Sequence, residues 1–386
     1  MILLAVVAFA TTDLPQLMAR FFTNDFHIAD FYYSLREEEE PFEEEIVLVN
    51  VGSRGRPDIA KQLFKLAQFQ PKVIALDIIF KGDRDPKGDE MLEYVLANVP
   101  NIVLISESHE KQAGEGDSLV LSNPRFAQHA YHGIGENIMD ANIGRRMQKK
   151  YRFANGDSAL HFAVQTTMLY DSAKAQAFLN RPNKQENIYF LGNIPSYVEN
   201  ASPTKFFVLD YKDVIDENFT ADLIRDKIVL MGYLGEFAGD DMVIEDKFYS
   251  PLKSFEPVNL PPDMFGAVFH ANTMSMILRE RYIDALSHSG EVWLALGIGM
   301  FNCLIFLALL RYSATRRWYA VISSLIIIGE FLAYPQLALY LFDEKRYLLD
   351  LSFTPLAVAL SSYASKVYVH RLLCWASPRW KAQTRD

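Results

Sequence analysis

Three long apolar stretches crowd the C-terminal end of the chain, and no other feature of the sequence restricts its architecture as sharply. A helix needs roughly 20 mostly apolar residues to cross a bilayer. Residues 291–311, 318–342 and 347–369 meet that length: Val292 to Leu310 is uncharged, the second stretch is interrupted only by Glu330 and Pro335, and the third has an uncharged centre from Leu351 to Ser365. The sequence therefore predicts three membrane helices following a large polar domain.

Charge divides the chain at the same place. The net charge is -10, yet from Glu291 onward ten Lys and Arg face six Asp and Glu, so the acidic excess belongs to the first 290 residues. An acidic domain argues against nucleic acid as a partner, and two cysteines, Cys303 and Cys374, are too few for a disulfide-built fold. Arg311, Arg316 and Arg317 occupy the first joint between apolar stretches, and the tail 370–386 carries Arg371, Arg379, Lys381 and Arg385. By the positive-inside rule both are cytoplasmic, which puts the domain 23–288 outside. Residues 1–22 are apolar at first and then carry Asp13 and Pro15. They fit an uncleaved anchor, a signal peptide cut after Ala8-Phe9-Ala10, or an anchor that starts upstream; Leu14, Leu17, Met18, Phe21 and Phe22 favour an anchor.

Within the domain, Ile46 to Val51 is a continuous apolar strand pattern followed by a helix beginning at Pro57. Val73 to Phe80, a helix from Glu90 to Asn98 and Ile102 to Ile105 extend the alternation, which predicts an α/β fold: a mixed sheet with parallel pairing and flanking helices. Further on, the pattern reads as a helix Ser158 to Tyr170, strands Ile188 to Leu191 and Lys227 to Gly232, and one long helix from Met264 to about Leu286 that links domain to membrane.

Few residues suggest chemistry. Asp77 ends an apolar strand near the carboxyl edge of a parallel sheet, where ligands often bind. The bland alternative, preferred here, has Asp77 cap the following turn while Asp83, Asp85 and Asp89 face water. Asp240 and Asp241 form a second acidic pair of the same ambiguity. His161 and His270 sit in apolar helical contexts, where a hydrogen-bonded core histidine is the commoner outcome. Without a His pair at helical spacing, a Cys/His cluster or a nucleophile elbow, no metal, cofactor or catalytic residue is expected. Glu330 lies about 12 residues into its helix, about 18 Å deep at roughly 1.5 Å per residue, with Asn302 at similar depth. Such a group is a functional candidate, although hydrogen bonding to Asn302 or Ser361 as interhelical glue is the preferred reading.

Several stretches together resemble the CHASE sensory domain of the second type. They are Asp30-Phe31-Tyr32-Tyr33-Ser34-Leu35-Arg36, Ala75-Leu76-Asp77-Ile78-Ile79-Phe80, Asp226 to Gly232, Ser250-Pro251-Leu252 and Gly266-Ala267-Val268-Phe269-His270-Ala271-Asn272. The likeness runs from about 28 to 370. It implies an extracytoplasmic sensor in a bacterial inner membrane, with a periplasmic ligand site to which His270 and Asn272 are candidates beside Asp77, Asp240 and Asp241. The chain departs from the family pattern at Asn50-Val51-Gly52, where an Asp-x-Asp is usual, and carries Asp-Gly-x-x-Arg only loosely as Asp140 to Arg146. Arg371 is followed by too few residues for an effector domain, so the expected output is a separate membrane or signalling protein; self-association stays open. The competing reading is a structural subunit of a larger envelope complex.

Overall fold

The computed structural model describes residues 28–35, 40–109, 118–140, 142–153, 156–195, 204–253, 261–349 and 354–373. The expected N-terminal anchor at 1–22 and the tail beyond Leu373 lie outside them. The chain forms two units: Tyr33–Ile283, and the residues from Asp284 onward together with those up to Tyr32.

The first unit is a parallel α/β sheet. A short helix, α1 (Ile28–Leu35), leads into β1 (Glu43–Asn50), α2 (Arg56–Gln68), β2 (Val73–Leu76), α3 (Pro86–Asn98) and β3 (Ile102–His109). Then follow β4 (Ser118–Val120), β5 (Tyr131–Ile134), α4 (Phe162–Tyr170), β6 (Phe206–Leu209), β7 (Ile228–Gly232) and α5 (Gly266–Leu278). The strand order is β6-β1-β7-β2-β3, and β3 pairs with both β4 and β5. Only the β3–β4 pairing is antiparallel, so the sheet is mixed, as expected.

Burial on both faces explains the continuous apolar strands. Val47, Val49, Ile74, Leu76, Leu104, Val229 and Met231 meet Ile59, Leu63 and Leu66 of α2 and Leu92 and Leu96 of α3. The alternate residues face the other way, toward α4 and α5. Every residue of α5 is buried.

Several boundaries move. β2 stops at Leu76, because Asp77 donates its N–H to the Met231 carbonyl as the chain leaves the sheet. Helix α3 starts at Pro86 because Asp85 caps it, accepting from the Gly88 N–H at 2.8 Å. Ser158–Leu160 is a strand before α4, and Ile188 to Leu191 is not one; the adjacent Gln185–Asn187 pairs with Ile143–Gln148 instead. The long linking helix is also corrected: α5 ends at Leu278, and Glu280 takes a positive φ of 52° that no helix continues through.

The second unit contains α6 (His288–Arg311), α7 (Tyr319–Lys345) and α8 (Thr354–Val367). Among the described residues, two helices, Ser289–Arg311 and Tyr319–Lys345, are long and apolar enough to cross a membrane, against the three expected. α7 runs past the charged Asp343-Glu344-Lys345, ending where Arg346 adopts a left-handed cap. α8 has 14 residues and continues as a wide turn, Tyr368–Leu373. It lies along α6, where Cys303 Sγ and Ser365 Oγ are 3.3 Å apart. Tyr32 packs its ring on Phe342 and bonds Asp343.

Candidate functional site

The loops at the carboxyl ends of β1, β2 and β7 converge, and the side chains there are placed by the backbone itself. Asn50 ends β1. Its Oδ1 accepts the Gly52 and Leu234 N–H groups at 3.0 and 2.9 Å, and its Nδ2 donates to Asp210 Oδ1 and the Gly235 carbonyl at 2.9 and 3.0 Å. All four hydrogen-bonding positions of the amide are thus used, and one side chain ties three loops together.

Asp77 leaves β2 on the face of the sheet that carries α4 and α5. A Cβ added at Gly232, the last residue of β7, would stand 3.3 Å from the Asp77 Cβ and 2.7 Å from that of Ala267, so the neighbouring strand must end in glycine. Asp77 keeps 11% of its side chain exposed, and its Oδ1 lies 4.0 Å from Nε2 of His270, which α5 holds almost fully buried. The His270 ring is 5.5 Å from that of His161 and edge-on to Phe162. His161 caps α4, its Nδ1 accepting the Ala163 N–H at 3.2 Å. That bond leaves its proton on Nε2, which has no well-formed partner; His270 Nδ1 has none either.

Electrostatics follow from dryness. Burial pushes the Asp77 carboxyl up from 3.8 to about 8, with the negative charge of Asp246 adding to the rise. Burial draws the His270 imidazole down from 6.5 to about 3 and lowers His161 well below its usual value, helped by His270. A neutral carboxyl and two neutral imidazoles therefore share one site near pH 7. Asp246, beside the start of α5, is raised to about 6 by burial and by Glu245.

The remaining sequence candidates do other work. Asn272 is fully buried: its Oδ1 accepts from Leu191 and Gly192, and its Nδ2 donates to the Gly192 and Val268 carbonyls. Asp240 accepts the Met242 N–H in a local turn, and its carbonyl receives Lys247 Nζ. Asp241 adds to the negative field at Lys247. The cap of α3 is Asp85, and Asp89 is not solvated: it is buried against Arg56 at 2.6 Å, whose hydrogen bond holds its carboxyl below the usual range. Asp140 and Arg146 close a two-bond pair on each other across a hairpin. Among the described residues no group of three or more His, Cys, Asp or Glu is arranged to hold a metal ion.

In the second unit, Asn302 is buried and donates to the Ile298 carbonyl, while Ser361 donates to that of Val358. Neither bonds Glu330, so the expected interhelical bond is not formed. Glu330 instead lines a small hollow with Ile327, Phe331, Tyr334 and Val358, its Oε2 buried without a partner. A larger cleft at the amino edge of the sheet is lined by Glu43, Lys72, Tyr170, Lys174 and Arg279, but Arg279 pairs with Glu43 at 2.9 Å and Lys174 bonds the Leu278 carbonyl. Its principal charges are already satisfied within the fold.

A model of the CHASE2 domain matches residues 2–310, four-fifths of the chain, spanning the whole sheet and α6. The chain belongs to the CHASE2 domain family. CHASE2 is an extracellular sensory domain, and the resemblance carried by Asp77 and by Gly266 to Asn272 therefore reflects membership. This CHASE2 chain matches no curated protein and no solved structure.

The meeting of the two histidines was missed in the sequence, where each stood alone on its own helix. A signal existed in Gly133-Ile134-Gly135. Glycines inside a strand mark close backbone approach. A Cβ at Gly133 would lie 2.5 Å from the Phe162 Cα, and one at Gly135 would lie 3.3 Å from His270 Nε2.

Proposed function

We propose that this chain is a membrane-anchored sensory module of the bacterial inner membrane, its sheet domain extracytoplasmic, whose state is read by a separate partner protein. The observation that carries the reading is the CHASE2 match, which runs through the domain and on into the first candidate span. Arg311, Arg316 and Arg317 cluster between α6 and α7, which supports a cytoplasmic joint there and an outer position for the domain. The site at the carboxyl edge of the sheet is the natural receiver, since ligands of open α/β sheets bind at that edge. A ligand acts there by binding one of two domain states more tightly than the other.

Orientation is tested by introducing single cysteines at residue 242, which is exposed on the sheet domain, and at residue 314, in a chain with Cys303 and Cys374 replaced by Ser, and labelling intact cells with an impermeant maleimide: the first should react and the second should not. Affinity purification of the full chain in mild detergent tests the relay. A stoichiometric partner bearing a cytoplasmic signalling domain is expected; a stoichiometric partner without one would replace the sensor with a structural subunit of an envelope complex.

A further inference from the structure

Five elements deliver their ends or faces to one small dry region: Asp77 follows β2, Gly135 follows β5, β7 ends at Gly232, His161 caps α4, and α5 presents His270. Packing there is tight. Glycines are required at the two strand ends, because an added Cβ at Gly135 would meet Ile105 at 2.1 Å and one at Gly232 would meet Ala267 at 2.7 Å. A proton needs no room in such packing, and Asp77 keeps enough exposure to exchange one with solvent. We propose that Asp77 and His270 form a proton-binding site through which the sensory domain reads extracytoplasmic pH.

Such a site presupposes the sensory function proposed above and supplies its stimulus. Buried polar atoms are nearly always hydrogen-bonded, and unpaired ones call for an explanation. Here His270 Nδ1 is buried without a partner, and His270 Nε2 and Asp77 Oδ1 stand 4.0 Å apart, too far for a hydrogen bond. The closed arrangement thus tolerates the neutral forms without rewarding them. The titratable groups facing Asp77 are His270 from α5 and Asp246 from the loop ahead of it, with Glu245 behind Asp246 and His161 behind His270. β7 contributes only Gly232. The one charge that stays on Asp246 above pH 6 is negative and opposes an anion at Asp77.

When Asp77 gives up its proton, a bare carboxylate stands in a site with no donor in reach. Two relaxations are open: α5 shifts to bring His270 into contact, or the loop after β2 opens to water. The first displaces α5 and the second uncovers the face of α5 that carries His270, so either couples proton loss to loss of protection of that helix. An open form whose carboxyl has the ordinary value of 3.8 binds no proton between pH 6.5 and 8, whereas the closed form binds one. The open-to-closed ratio then rises tenfold per pH unit across that interval.

The test is infrared difference spectroscopy of the full chain in lipid nanodiscs from pH 6 to 9, combined with hydrogen exchange of the peptide 264–278 corrected for intrinsic rates. A protonated-carboxyl band present at pH 6.5, lost around pH 8 and missing in Asp77→Asn, together with faster exchange of that peptide above pH 8 in the wild type alone, is the expected result. His270→Gln should displace the midpoint of the band while leaving it present at low pH, which separates titration of Asp77 from misfolding of the Asn variant. A band that does not titrate, or that survives in Asp77→Asn, overturns the proton site. A band that titrates without any change in exchange overturns the coupling. Either failure leaves the cysteine-labelling and partner results intact, so a wrong stimulus is distinguishable from a wrong function.

Discussion

Asp77 Oδ1 and His270 Nε2 stand 4.0 Å apart in a region where neither group is stabilised in its charged form. The unfolded chain loses the Asp77 proton near 3.8, and the folded chain keeps it to about 8. This group therefore makes stability fall as pH rises through that window. His270 acts oppositely: the unfolded ring takes a proton below 6.5 and the folded one refuses it down to about 3, so its contribution makes stability rise with pH between those values.

From 3.8 to 6.5 these two slopes cancel, and Asp246 and Asp263, both raised to about 6 by burial, finish their own decline below the upper limit. The interval from 6.5 to 8 belongs to Asp77. Thermal or denaturant unfolding should show stability dropping there by about 2 kcal/mol, one proton at about 1.4 kcal/mol per pH unit. Asp77→Asn should flatten that interval, and an unchanged slope in the variant would remove Asp77 as its cause.

Asn272→Ala leaves the Leu191 and Gly192 N–H groups and the Gly192 carbonyl buried without their partner. Each such group costs about 1–3 kcal/mol. Urea unfolding should show a loss of roughly 3 kcal/mol or more with the transition still cooperative; a loss under about 1 kcal/mol would mean that water or another donor takes over.

Asn50→Asp restores an acid where the family usually has one. Here it would face the Asp210 carboxylate at the present 2.9 Å contact and lose a donor to the Gly235 carbonyl. Two carboxylates sharing a site force one of them to hold a proton. The variant should be destabilised by roughly 2 kcal/mol at pH 7 and recover most of that at pH 4, and a pH-independent deficit would refute the charge explanation.

Cys303 and Ser365 face each other between α6 and α8. In a Cys374→Ser background, Ser365→Cys should oxidise to an intramolecular disulfide, read as lost maleimide reactivity and a mass lower by two hydrogens. Gly299→Leu in the same chain should suppress the crosslink, because even a Cβ at Gly299 would stand 3.3 Å from that of Ala357. A crosslink that forms as fast with leucine would place the seam elsewhere.

Much of the scaffold was legible because its signals are local. Buried parallel strands must be apolar throughout, so Ile46 to Val49 and Ile228 to Met231 declare themselves. The helix start expected at Pro57 comes from fixed φ and a missing N–H, and α2 begins one residue earlier, at Arg56, whereas the start of α3 lies at Pro86, four residues before the Glu90 read from the sequence. The two candidate membrane helices follow from length and hydropathy alone. The third stretch did not, since apolar composition over 347–369 does not determine how many residues join one helix: Tyr347–Leu348 is drawn into a strand pairing with Asp284–Ala285, outside the helix α8 described over Thr354–Val367.

The sequence by itself determined the strand–helix alternation from β1 to β3, the strand β7 and two apolar spans, because each of these depends on neighbours a few residues away. Tertiary structure alone decided the site. β7, late in the chain, enters the sheet between β1 and β2, and that insertion sets Gly232 and α5 against Asp77. It also decided protonation, because desolvation is a property of everything packed around a group, and a carboxyl that caps a turn in water differs from the same carboxyl beside two buried imidazoles only in what the fold has brought to it.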